Sequence, residues 1–130
     1  MNNKVKLNKI NSFSRYTLAF VFLYHGLVPK IFWLDSTEIF LVELHNLGFK
    51  AEYISLIGGI VEILLALFII TNKKSLAPIY ISLILFIGLL IDVSIMQPSL
   101  LVKAFNPLTM NVMGISLCVL AIVSKNDAQN

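Results

Sequence analysis

The chain has 130 residues, of which 58% are hydrophobic and only 13% charged, with a net charge of +3 and a mean hydropathy of +0.86. Soluble domains carry about 25% charged residues, and a chain this short has too little interior to hide so much apolar surface from water, so a water-soluble fold is excluded and lipid is the second solvent. Although the pI is near 9.1, the basic residues are few and sit at the ends of apolar runs, which marks them as topology signals and argues against a nucleic-acid partner.

Residues 1–15 read as a short solvated tail with Lys4, Lys6, Lys9 and Arg15. With the apolar run that follows, they imitate a secretory signal, but no small-x-small cleavage pattern comes next and the segment is expected to stay in the mature protein. The first apolar run spans about 16–34. Beyond it, Asp35, Ser36, Thr37 and Glu38 resemble a capping box ahead of Phe40, Leu41, Leu44 and Leu47, with Gly48 as a stop. This spacing predicts a short interfacial helix over about 36–47, its apolar face on the mouth of the bundle and Glu38 and His45 on the other face. Three more apolar runs follow at about 53–71, 76–97 and 107–124, each near the ~20 residues that span hydrocarbon. Only helices satisfy their own backbone there. Ser75 is placed to cap the third run, and Asn106 before Pro107 to start the fourth. A second short solvated tail ends the chain. The expected architecture is an all-α membrane protein, one domain over 1–130: an antiparallel bundle of four transmembrane helices with an interfacial helix in the first outer loop.

Orientation follows from the basic residues. Lys4, Lys6, Lys9, Arg15, Lys73, Lys74 and Lys125 fall on one side, and Lys30, Lys50 and Lys103 on the other, with Asp35, Glu38, Glu43 and Glu52. Both termini should therefore face the cytoplasm, as a multi-pass protein of a cell inner membrane.

Depth then sorts the polar groups. At ~1.5 Å per residue, His25 lies about 15 Å and Lys30 about 22 Å beyond Arg15, and Glu62 about 13 Å below Tyr53. Asp92 lies about 25 Å from Ser75, and Asn111 about 6 Å inside Pro107. Two layers are expected, His25 with Glu62 near the midplane, and Lys30 with Asp92 and Asn111 nearer the outer face. Ser55, Gly58, Gly59, Glu62 and Ala66 share one stripe, and Gly88 with Asp92, and Pro107, Asn111, Gly114 and Cys118, line others. Small residues on such stripes either bring helices close or leave room for a guest. Tyr24, His25, Lys30, Glu62, Asp92, Asn106 and Asn111 are thus the candidate ligand-binding or buried polar network. Each also has a purely structural reading, as a satisfied histidine, a snorkelling lysine, a protonated acid or an ion pair that fixes register.

There is no GxGxxG, Walker loop, GxSxG or HExxH, so no catalytic residue and no metal ligand is assigned. Cys118 stands alone, which argues against dithiol redox chemistry by this chain.

The strings RYTLAFVFLYHGLVPKIFW at 15–33, GGIVEILLAL at 58–67 and FNPLTMN at 105–111 resemble the DoxX-like family of small bacterial membrane proteins, over most of the chain. The resemblance implies a four-helix membrane bundle. It also implies association with oxidoreductases, since relatives include the DoxD subunit of thiosulfate:quinone oxidoreductase and DoxX proteins in complexes for thiol and oxidative stress. Three classes of function stay open: an accessory subunit, not catalytic on its own, that binds a quinone-like ligand beside an oxidoreductase partner; a proton-coupled carrier using Glu62 and Asp92, with a homodimer supplying further helices; and a structural scaffold. The first is preferred.

Overall fold

A computed structural model describes residues 2–129. Five α-helices account for most of them: α1 (Asn3–Leu27), α2 (Ser36–Leu44), α3 (Ala51–Thr71), α4 (Ala77–Met96) and α5 (Pro107–Gln129). A π-helical turn, Val28–Phe32, extends α1, and a 3₁₀ turn, Pro98–Val102, follows α4. No strand occurs among the described residues.

α3, α4 and Pro107–Ala128 of α5 are each long and apolar enough to cross a membrane. The first expected span is different. The run Asn3–Phe32 meets the same test only together with α2, from which it is bent by 89°. Pro29 explains the break, because it has no N–H to offer the carbonyl of His25. The helix widens instead, and Trp33 N–H reaches back five residues to Val28 O at 2.9 Å. Leu34, at φ 47°, then turns the chain sharply into α2, a left-handed conformation that a bulky side chain seldom adopts. Asp35 caps α2 by accepting from Thr37 N–H at 2.8 Å and Glu38 N–H at 3.3 Å. The helix stops at Leu44, short of the expected 47, because Asn46 adopts φ 45° ahead of Gly48 at φ 74°.

The tails, expected to be short and solvated, are both helical, and residues 2–10 are exposed at all but one position. α1 begins at Asn3, with the Asn2 side chain accepting from Lys4 N–H, and α5 runs on to Gln129. Asn11, Ser14 and Arg15 are buried. Arg15 is a structural centre here: its guanidinium donates to Ile69 O, Asn72 O and Ser75 O, and its Nε to Asn11 Oδ1. The last carbonyls of α3 have no intrahelical partner, and a cation placed against them satisfies both their hydrogen bonding and the negative end of the helix dipole. Asn11 in turn donates to Ala121 O of α5 at 2.6 Å.

α1 packs on α3 and on α5, and α5 packs on α4, while the sequence neighbours α3 and α4 touch only slightly. α1 and α3 run antiparallel, since Arg15 meets the end of α3 and Gly26 meets Gly59 in its first half. The end of the bundle near the termini is solid: Leu18, Ile69, Ile79 and Cys118 are fully buried there, with Ala19, Ala66 and Ala121 filling between them. Phe22 and Phe86 stack 5.0 Å apart above this core. Beyond the phenylalanines the helices diverge, and α2 lies across α3 and α4 at that end.

Candidate functional site

The space between the diverging helices is a cavity of about 770 Å³, walled by α1, α3, α4 and the start of α5 and covered by α2. Its lining is mostly apolar with a few polar groups, the composition usual for a small-molecule site.

Glu62 is the deepest acid in this wall. Gly26 and Gly59 let α1 and α3 approach so closely that Lys30 is carried over the glycine pair of α3. From there its Nζ donates to Glu62 Oε1 at 2.6 Å and lies 3.8 Å from Glu38 Oε2. The side chains of Lys30 and Glu62 are 13% and 12% exposed, so the pair is held largely out of water, where an ion pair needs good geometry to offset its desolvation. Glu62 Oε2, however, is buried with no hydrogen-bond partner, and Ser55 Oγ, two turns earlier on the same face, is in the same condition. Both residues line the cavity.

The expected layers are thus rearranged. Lys30 pairs with Glu62, not with Asp92 and Asn111, because the side chain of lysine spans the few ångströms of depth between its backbone and the acid. Asp92 instead accepts from His45 Nε2 at 2.8 Å, at the rim of the cavity. His45 Nδ1 also donates, to Leu41 O at 2.8 Å. Both nitrogens act as donors only in the imidazolium, and the bond to Asp92 followed by that to Leu41 raises the pKa of His45 above the ordinary value. α2 therefore turns Glu38 and His45 towards the bundle, not away from it as expected.

His25 lines the cavity beside Glu62 without a hydrogen bond to it; its ring lies 6.3 Å from that of Tyr24. Tyr24 itself is half exposed, stacked at 6.0 Å on Phe20, and faces away from the cavity. Asn106 reaches the cavity but is occupied as a cap, its Oδ1 accepting from Thr109 N–H and its Nδ2 donating to Lys103 O. Asn111 donates to Pro107 O at 2.7 Å and is buried in the same wall. The structure therefore brings His25, Lys30, Glu62, Asp92, Asn106 and Asn111 to one cavity and leaves Tyr24 outside it. Ser55, Glu38 and His45 belong with them. Ser55 was visible on the glycine stripe of α3, but a serine in an apolar helix gives no sign of where its hydroxyl goes. Among the described residues, no three His, Cys, Asp or Glu side chains gather as a metal site would require.

An all-helical chain with three helices long and apolar enough to cross a membrane, and a mostly apolar pocket with a few polar groups among them, is a helical membrane protein. The chain matches the model of the DoxX-like family over residues 19–119, from the middle of α1 through most of α5, and belongs to that family. No curated protein and no solved structure matches it.

Proposed function

We propose that this chain is a four-span inner-membrane subunit that holds a small quinone-like amphiphile in the cavity beneath α2, while a partner oxidoreductase supplies the chemistry. The observation that carries the reading is the pair of buried, unpartnered polar atoms, Ser55 Oγ and Glu62 Oε2, on the wall of a cavity of about 770 Å³. Buried polar groups are nearly always satisfied by protein or by something bound. The slight packing of α3 against α4 offers an apolar tail a route to the lipid. In this reading the run Asn3–Phe32 serves as the fourth span, α2 rests at the outer surface, and both termini face the cytoplasm, an orientation supported by the seven of ten basic residues on that side.

The carrier reading has less support, because the cavity ends at Phe22 and Phe86, and beyond them Leu18, Ile69, Ile79 and Cys118 are fully buried. Protein extracted with its native lipids should carry one small amphiphile per chain by mass spectrometry, and Glu62→Gln should reduce that occupancy. Extraction of an empty, stable protein from membranes rich in quinone would refute the reading. A reporter active only outside the cytoplasm, fused after Lys125, should stay silent.

A further inference from the structure

Two polar atoms of the cavity wall, Ser55 Oγ and Glu62 Oε2, have no partner, and both can accept a hydrogen bond. Lys30 directs its ammonium at two carboxylates, Glu62 at 2.6 Å and Glu38 at 3.8 Å. Taken as the carboxylate that balances the Lys30 ammonium, Glu62 presents in Oε2 an acceptor with nothing to accept from. Asn111 donates one amide N–H to Pro107 O and keeps its carbonyl oxygen as a further acceptor. Ser55 is unusual in a second way. Ser82, Ser94, Ser116 and Ser124, like Thr17 and Thr71, each donate to the carbonyl four residues back. That is the ordinary resting place for a hydroxyl in a helix. Ser55 does not use it, although the residue is only 3% exposed.

We infer that the cavity selects an amphiphile whose head carries hydroxyl donors, such as a hydroquinone or a glycerol, over an acceptor-only head such as a quinone, with Glu62 Oε2 and Ser55 Oγ as its two anchor points. The inference rests on the proposed occupancy of the cavity and adds the hydrogen-bonding character of the guest. A quinone has two carbonyl oxygens and no N–H or O–H; placed against Glu62 Oε2 it leaves that carboxylate oxygen unsatisfied and adds a repulsive contact. A hydroxyl fills the position. Ser55 and Glu62 are seven residues apart, about 10 Å along α3, and the longer Glu62 side chain leans towards the start of the helix and shortens that gap. A ring or a glycerol with a hydroxyl at each end, and a hydrogen bond of about 2.8 Å beyond each, bridges such a span.

The test uses the full chain in lipid nanodiscs under anaerobic conditions, with three probes: a short-chain benzoquinone, its hydroquinone, and a monoacylglycerol. Leaving a buried acceptor unmatched costs roughly tenfold or more in affinity, so the hydroquinone should bind at least tenfold more tightly than the quinone. Binding of the monoacylglycerol alone also supports the donor-bearing head and assigns its source to lipid. Equal or tighter binding of the quinone overturns the inference while the cavity remains a binding site. Failure of all three overturns the occupancy as well. Glu62→Gln should abolish the preference, since its amide can turn a donor to the guest. As Ser55 has no hydrogen bond to lose, Ser55→Ala should fold as well as the parent yet weaken hydroquinone binding several-fold; unchanged affinity removes Ser55 from the site.

Discussion

Gly26 and Gly59 face each other across α1 and α3 so closely that a Cβ on either would fall 2.6 or 2.7 Å from the other's carbonyl oxygen. Neither backbone can yield without moving a helix. Gly26→Ala and Gly59→Ala should therefore each destabilise the protein by about 1–3 kcal/mol, the usual result of overpacking. They should also carry Lys30 away from Glu62. Gly88→Ala is the control: nothing lies within 4 Å of the added methyl, and alanine suits a helix better than glycine by up to ~1 kcal/mol. Thermal unfolding in detergent should show two losses and one neutral or raised midpoint. Equal effects at all three positions would contradict the packing.

The Lys30–Glu62 pair invites a double-mutant cycle. Lys30→Met and Glu62→Gln should each cost about 3–5 kcal/mol, as breaking a buried pair does, and the double variant should lose clearly less than their sum. Lys30→Met combined with Asp92→Asn should be additive, since Asp92 bonds His45 instead. Coupling between Lys30 and Asp92 would put the lysine on the wrong partner.

His45 makes the seating of α2 depend on pH. Its pKa is raised in the folded protein, first by the Asp92 hydrogen bond and then by that to Leu41 O. The contact's contribution is accordingly complete below the ordinary value of 6.5 and is lost as pH rises through the raised one. The side chains of His45 and Asp92 are about a third exposed, so the effect is under about 1 kcal/mol. Amide exchange over residues 36–44, corrected for the intrinsic rate, should show α2 opening more readily at pH 8.5 than at pH 5.5. The difference should vanish in His45→Gln.

Arg15 should not tolerate lysine. Four acceptors from α1, α3 and the turn beyond α3 converge on the guanidinium fork, and an ammonium cannot reproduce its planar array of donors. Arg15→Lys keeps the charge yet should lower stability by a few kcal/mol, each acceptor left buried and unmatched costing about 1–3. A variant as stable as the parent would reduce Arg15 to a topology signal.

The all-helical class, the start of α2 and the caps at Asp35 and Asn106 were legible because each rests on local chemistry: apolar length, a short polar side chain before a helix, and a proline at a boundary; Ser75, expected as a cap, instead lies one residue before the N-cap Leu76. Ala77 N–H does bond Ser75 Oγ, at 3.0 Å. Lys30, Glu62, Asp92 and Asn111 were legible as inward-facing groups for the same reason, since polar atoms avoid lipid. Their partners were not. Depth counted along straight helices ignores the reach of a lysine and the π-helical turn at Pro29. Nothing local distinguishes Gly26, which seats a backbone, from Gly88, which seats nothing. Arg15 read as a solvated flank because three of its four acceptors lie more than fifty residues away in the chain.

The slight contact between α3 and α4 also bears on how the protein is made. A chain leaves the ribosome from its N-terminus, and α1 can lie against α3 as soon as both have entered the bilayer. α4 emerges next, but its main neighbour is α5, and the ring of Phe86 rests on Gly114, a residue not yet synthesised. Until α5 follows, α4 lacks its main neighbour and α1 lacks one of its two. The far wall of the cavity, built by α4 and the start of α5, is thus laid down after the wall of α1 and α3.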